Sequence, residues 1–499
     1  MIRRQVAKGV LWSGAGQFLA TGMHYLLILV FAWILGPGEI GLVSLALVVI
    51  RVVKVVGELS LSAALVQRRQ VSHSDRSTAF WASLLLSGIL CAILWLIADK
   101  IAILMYEPAL TPILRVLAFM FPTGALVVVP RAMLYSSLRF RDLAVVEIAG
   151  EIVYGVVGII MALTGWGVWS LVGAELSRMV VISIGMWRAW PWFPALSFDW
   201  HIFRDLLSFG LPDMMSHILN QILANIDYFL IGRYLGVVAL GYYTLAFQIA
   251  VTPVQRLEDV FRRVTFPTFS AIQDQRLMLG RWFSRTMEYL LLIAAPFCLL
   301  LLWFAPYLTK YLYDVSWQAA VPLVQILVIA GLFYVFQGTI SVFRAVGKPI
   351  LQTALALLRV TIFLTLVFGL ELIGTTEGVA WSIVWSAIVA GIVSAAVVWQ
   401  LTKSPISGLL SCVLRPIALA ALAAAPALLT IAFELVVSFW ASIGLVLLHV
   451  GLYAGLVWGV YGQQLLVELR AMFQSGSNVQ PVSIVDSKPE PVSVRTPRM

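Results

Sequence analysis

Arg51, Lys54 and Glu58 lie three and four residues apart inside the apolar run LALVVIRVVKVVGELS, where a membrane helix is expected to be greasy. That spacing places all three on one helical face, and carrying them into lipid costs several kcal/mol unless they meet water or partners. Other apolar runs hold Glu147 and Glu151, Glu175 with Arg178, Arg256 with Glu258 and Asp259, and Arg359. A further run carries Asp213, His217, Asn220, Gln221, Asn225 and Asp227, a polar stripe on a long hydrophobic segment. Together these residues predict a hydrophilic path through a membrane.

The chemistry open to such a path is binding and passage. Arg51, Lys54, Arg178, Arg256 and Arg359 are candidates for holding an anionic head group, since guanidinium forks match phosphate oxygens. Pairing between helices competes with that role, for instance Arg178 with Glu147 or Glu151, and Arg256 sits where snorkelling toward the surface is the alternative. Glu58, Glu147, Glu151 and Asp227 offer sites for proton or cation coupling, or structural partners for the cations. Glu175, His217, Asn220 and Asn225 complete the expected polar lining. Of the five histidines, His24, His73, His201, His217 and His449, only His217 falls on the stripe, where it can titrate in the path.

No HExxH, no Cys/His metal spacing and no Walker-type glycine loop occurs, so the reading is a non-enzyme without metal or organic cofactor, with proton or sodium coupling left open. Cys91, Cys298 and Cys412 fall in or beside apolar runs and read as small buried hydrophobes.

The elements that position these residues follow from composition. With 61% hydrophobic and 11% charged residues and a mean hydropathy of +0.96, the chain is excluded from the soluble globular class. Its apolar runs predict an all-α integral membrane protein with about fourteen spans, each long enough for a ~30 Å hydrocarbon core. The +9 net charge then sets topology, and a nucleic-acid partner is not expected. Of 33 Lys and Arg, 24 fall on one set of alternate loops and termini, three (Lys100, Arg233, Lys310) on the other, and six within spans. By the positive-inside rule both termini are cytoplasmic.

A duplication organises the spans. Leu35, Gly36, Gly41, Leu45 and Ala46 recur at a constant offset as Leu235, Gly236, Gly241, Leu245 and Ala246. Six spans separate the copies, so both halves enter the membrane in the same direction, as two parallel six-helix lobes around a central cavity. The expected division is an N-lobe over 1–206 including an interfacial linker rich in Trp190, Trp192, Phe193 and Trp200, a C-lobe over 207–402, an extra helix pair over 403–462, and a largely disordered cytoplasmic tail over 463–499. Facing parallel repeats are the geometry of alternating access.

Several stretches carry a resemblance: LGPGEIGLVSLALVV (35–49), AALVQRR and STAFW (63–69, 77–81), PRAMLYSSLRFRDL (130–143), NIDYFLIGRYLG (225–236) and FPTFSAIQDQ (266–275). Over about residue 2 to the twelfth span the chain resembles Wzx-type polysaccharide flippases of the polysaccharide transporter family. These belong to the multidrug/oligosaccharidyl-lipid/polysaccharide exporter superfamily, in the branch of the colanic acid and succinoglycan exporters. The resemblance implies transfer of an undecaprenyl-pyrophosphate-linked oligosaccharide between leaflets, with membrane lipids around it and a polymerase and chain-length or export proteins as partners. One departure is Glu58-Leu59-Ser60-Leu61-Ser62, where the family often has an acidic residue followed by Leu-Gly-Leu-Gly. Two other readings stand beside it. An ion-coupled multidrug exporter is expected to favour acidic over basic cavity residues. A membrane polysaccharide polymerase or ligase is expected to carry a large outer loop, and none here exceeds about fifteen residues.

Overall fold

The computed structural model describes residues 2–58, 61–68, 71–433 and 438–475. Among these there is no strand. The first half comprises α1 (Ile2–Ile34), α2 (Pro37–Glu58), α3 (Leu61–Gln67), α4 (His73–Leu104), α5 (Leu110–Leu117), α6 (Met120–Ser136), α7 (Phe140–Leu163) and α8 (Val168–Ala189). The second comprises α9 (Trp200–Tyr234), α10 (Gly236–Ala250), α11 (Thr252–Ala271), α12 (Arg276–Leu312), α13 (Ala320–Tyr334), α14 (Thr339–Ala345), α15 (Ile350–Gly369) and α16 (Thr376–Thr402). A last pair follows, α17 (Ile406–Ala432) and α18 (Phe439–Ser475).

This is a multi-pass membrane protein: among the described residues eleven segments are long and apolar enough to cross a bilayer, or twelve when α10 and α11, bent by 43° to each other, count as one. The expected first and seventh spans lie outside that count. Within α1 the apolar stretch counted among the described residues is Leu19–Ile34, and α9 carries the polar stripe. The bend between α10 and α11 has a local cause, because Pro253 has no N–H to give to the preceding turn. The repeat places Val53 at the equivalent position of α2, which runs unbroken from Pro37 to Glu58.

Element ends also differ from expectation. Asp199 caps α9, accepting from the His201 and Ile202 N–H groups, so the helix starts at Trp200 and the 206/207 boundary falls inside it. Helix α18 runs on to Ser475, past the expected limit at 462. Leu59 and Ser60, where the family pattern departs, and the tail from 476 onward lie outside the described residues.

The linker before α9 is docked against α4. Trp81 donates through Nε1 to the Ala195 carbonyl at 2.8 Å, the Ala195 N–H reaches the Ser77 hydroxyl, and the Asp199 N–H reaches that of Thr78. Trp192 is buried there, while Phe193, Leu196 and Trp200 are exposed.

Prolines inside helices leave carbonyls without a donor, and in an apolar medium that loss must be made good. Three are filled by a side chain from another helix. Pro130 frees the Leu126 carbonyl, which accepts from Trp187 Nε1 at 2.9 Å. Pro296 frees Leu292, which accepts from the Tyr453 hydroxyl at 2.7 Å, and Pro306 frees Leu302, which accepts from Gln325 Nε2 at 3.1 Å. These bonds tie α6 to α8, α12 to α18, and α12 to α13.

The two halves meet chiefly where α2 crosses α10. A Cβ on Gly41 would lie 1.7 Å from the Val237 carbonyl oxygen, and one on Gly241 would lie 1.9 Å from that of Pro37. Each repeated glycine thus rests on the backbone of the other copy's turn, an approach that no side chain permits. Gly236, the first residue of α10, also adopts φ +83°.

Candidate functional site

The polar residues of the sequence resolve into separate environments. In the first half, Arg178 on α8 is held by Glu175 at 2.7 Å and by Glu151 of α7 at 3.0 Å, both carboxylates being buried. His24 of α1 completes the cluster through Nδ1, 3.0 Å from the second oxygen of Glu151, and the Arg178 guanidinium lies 5.9 Å from the Tyr154 ring. Gly150 permits this packing, since a Cβ there would sit 2.8 Å from the Ile182 side chain. Two carboxylates therefore surround one arginine, with a histidine at hydrogen-bond distance from one of them. Glu147, one turn before Glu151, instead lies 4.0 Å from Arg131.

Between the halves, Arg51 of α2 donates to the Asn225 side-chain oxygen of α9 at 3.4 Å. Asn225 is itself buried and held by the Gln221 carbonyl at 2.7 Å. Two residues on, buried Asp227 accepts from the Tyr243 hydroxyl of α10 at 2.5 Å. Lys54 is half-buried on α2; Glu58 is its last residue, and that side chain lies outside the described set.

In the second half, Arg359 of α15 donates to the Tyr334 hydroxyl and lies 4.4 Å from the same ring's centroid. Both line a cavity of about 340 Å³ with Asn220 of α9, Arg262 of α11, Gln337 and Gln352. Among the described residues no carboxylate lies within ion-pair distance of Arg359 or Arg51. Asn220 thus faces this cavity while Asn225, on the same helix, meets Arg51, so the stripe on α9 serves both halves. His217 is exposed on that helix. Arg256 is apart from these groups, largely exposed and 3.4 Å from Asp259, which Arg262 also contacts.

Two participants escape a reading of the sequence by spans. His24 is 127 residues from the carboxylate it meets. Arg262 looks like a loop cation, yet α11 continues past it to Ala271. Glu258, which the sequence places beside Arg256 and Asp259, is buried, one of its carboxylate oxygens has no hydrogen-bond partner among the described residues, and it stands at the 200-residue repeat offset from Glu58.

Two parallel helical halves, a docked terminal pair and internal polar clusters define a multi-pass membrane transporter fold. The same fold occurs in a solved structure titled lipid II flippase MurJ, inward closed conformation, which covers 91% of this chain and 100% of its own at 15% identity with a TM-score of 0.73. It occurs too in an inward-facing multidrug resistance MATE family transporter of the MOP superfamily (78% and 96% covered, 18% identity, TM-score 0.57). The chain belongs to the polysaccharide biosynthesis protein family, whose model matches residues 30–322. Similar proteins include the lipopolysaccharide biosynthesis protein WzxC of Escherichia coli (strain K12), 25% identical over 72% of each chain. The succinoglycan biosynthesis transport protein ExoT of Rhizobium meliloti (strain 1021) is 26% identical over 71% of this chain and 72% of its own. The teichuronic acid biosynthesis protein TuaB of Bacillus subtilis (strain 168) is 28% identical over 57% and 59%.

Proposed function

We propose that the protein flips lipid-linked oligosaccharide repeat units, carried on undecaprenyl pyrophosphate, across the bacterial inner membrane for surface or exopolysaccharide synthesis. It acts by alternating access and without enzymatic chemistry. The observation that carries this reading is the cavity with Arg359 and Arg262, cations inside the membrane domain of a chain that belongs to a polysaccharide biosynthesis family. The names of WzxC and ExoT, and the fold shared with a lipid II flippase, support it.

In this reading Arg359 and Arg51 attract the pyrophosphate, and the sugars follow the polar face of α9 past Asn220. Arg178 has its charge offset by Glu151 and Glu175 and serves chiefly to join α1, α7 and α8. The Gly41/Gly241 crossing lies at the end of the bundle away from the arginine-rich loops. By the charge asymmetry of the loops that end is periplasmic, with both termini cytoplasmic. Release of the lipid then requires α2 and α10 to part there. A polymerase and export proteins receive the product, and a proton or sodium gradient is the driving force we favour.

A deletion strain tests the assignment. Repeat units trapped on the inner leaflet are expected; units that accumulate unpolymerised on the outer leaflet would assign the protein to polymerisation instead.

A further inference from the structure

A second cationic cavity, of about 300 Å³, lies outside both clusters, where α12, α17 and α18 converge. Arg281, Ser284, Arg285 and Glu288 follow one another at spacings of three, four and seven from the first, and so occupy one face of α12. Arg415 of α17 and Tyr461 of α18 close the other walls. Three guanidinium groups thus share a cavity with one carboxylate.

That carboxylate is already engaged, because Glu288 accepts from the Tyr461 hydroxyl at 2.6 Å. Arg285 is engaged too, donating through Nε to Tyr289 at 3.2 Å. Arg281 and Arg415 are both exposed, and the net charge of the lining is positive. The walls are held close without filling the space: a Cβ on Gly280 would lie 2.7 Å from the Ser404 side chain. Above Tyr461 the seam is fixed by Tyr453, on the carbonyl that Pro296 leaves free, and by His449 against the Pro296 carbonyl at 3.2 Å. Beside the cavity, Leu410, Leu414, Trp458 and Val460 are exposed apolar side chains on helices that cross the bilayer. A ligand that suits such a place has a phosphate for the arginines and hydrocarbon that stays in the membrane.

We propose that this cleft is a lipid-phosphate site, distinct from the Arg359 cavity, occupied by the phosphate of a membrane lipid whose chains remain in the bilayer beside Leu410 and Leu414. The shared chemistry is a phosphate ester on a hydrocarbon with no balancing cation in its head group, from either an anionic glycerophospholipid or a polyprenyl phosphate carrier. The site does not depend on the transport reading.

The test uses the full-length protein, purified in detergent and offered phosphatidylglycerol, undecaprenyl phosphate or phosphatidylcholine, with retained lipid read by native mass spectrometry. Retention of one or both net-anionic lipids over zwitterionic phosphatidylcholine is expected, and the better retained names the source. The variant Arg281→Gln/Arg415→Gln should lower retention about tenfold, and Glu288→Gln, which removes the competing charge, should raise it. Arg359→Gln should leave phosphatidylglycerol retention unchanged, since that residue is assigned to the transported carrier and not to this cleft. Added salt should weaken retention by the unmodified protein, an arm that needs no variant to fold. The proposal is overturned if zwitterionic phosphatidylcholine is held as well as the net-anionic lipids, if the double variant elutes normally and keeps its lipid, or if salt has no effect. It is also overturned if Arg359→Gln alone removes phosphatidylglycerol, since the occupied site is then the other cavity.

Discussion

Arg178 and Arg359 look alike in the sequence, each a cation in an apolar run, and the structure separates them by their partners. Arg178 is enclosed by Glu151 and Glu175, whereas Arg359 meets a tyrosine and a cavity. Removing one member of a buried ion cluster strands the other charges and typically costs about 3–5 kcal/mol, so Glu151→Ala should lower the melting temperature markedly. Arg359→Gln should melt near the unmodified protein yet reduce flipping by about tenfold or more, because a pyrophosphate loses a charge-assisted hydrogen bond. Thermal unfolding and a transport assay on both variants check the pair, and equal loss of stability would contradict the distinction. The sequence showed that these charges needed partners and named Glu151 among the choices for Arg178. It did not show His24, because a contact 127 residues distant leaves no local spacing to read.

At the scale of the helix, the order of the long apolar segments was legible from hydropathy alone, because a membrane helix must satisfy its own backbone. The number of spans was less so: α9 carries its polar stripe through the run expected to be the seventh span, and composition does not count it among the apolar segments. The proline carbonyls were not legible at all, since nothing near Pro296 in sequence points to Tyr453, 157 positions later. Tyr453→Phe should destabilise by about 1–3 kcal/mol, the cost of an unpaired buried carbonyl. In a Pro296→Ala background the restored N–H fills that carbonyl, so the same substitution should cost far less. Unfolding measured over the double-mutant cycle reads the difference, and equal costs in both backgrounds would refute the role assigned to Tyr453.

For the molecule as a whole, the repeated turn was the most informative stretch of the sequence. It announced two equivalent halves, but constant offsets do not reveal contact. Only the structure places Gly41 and Gly241 against each other's turns and makes the duplicated motif the place where the halves touch. Arg233, stacked 3.9 Å over the Tyr106 ring, and the Tyr313 hydroxyl on the Leu29 carbonyl link other elements across the halves. Gly41→Ala would drive a methyl group into the Val237 carbonyl and should bias the protein toward the state in which α2 and α10 are apart. Cysteine accessibility at this end should rise in that variant, and unchanged accessibility would contradict the bias.

Transport by this route requires α2 and α10 to part. A Cβ on Gly38 lies 3.8 Å from the Val238 side chain, so the variant Gly38→Cys/Val238→Cys is placed to form a disulfide across the seam. In proteoliposomes holding a lipid-linked oligosaccharide on one leaflet, the oxidised variant should flip none, and reductant should restore the rate. Undiminished flipping by fully cross-linked protein would show that the lipid leaves by another route.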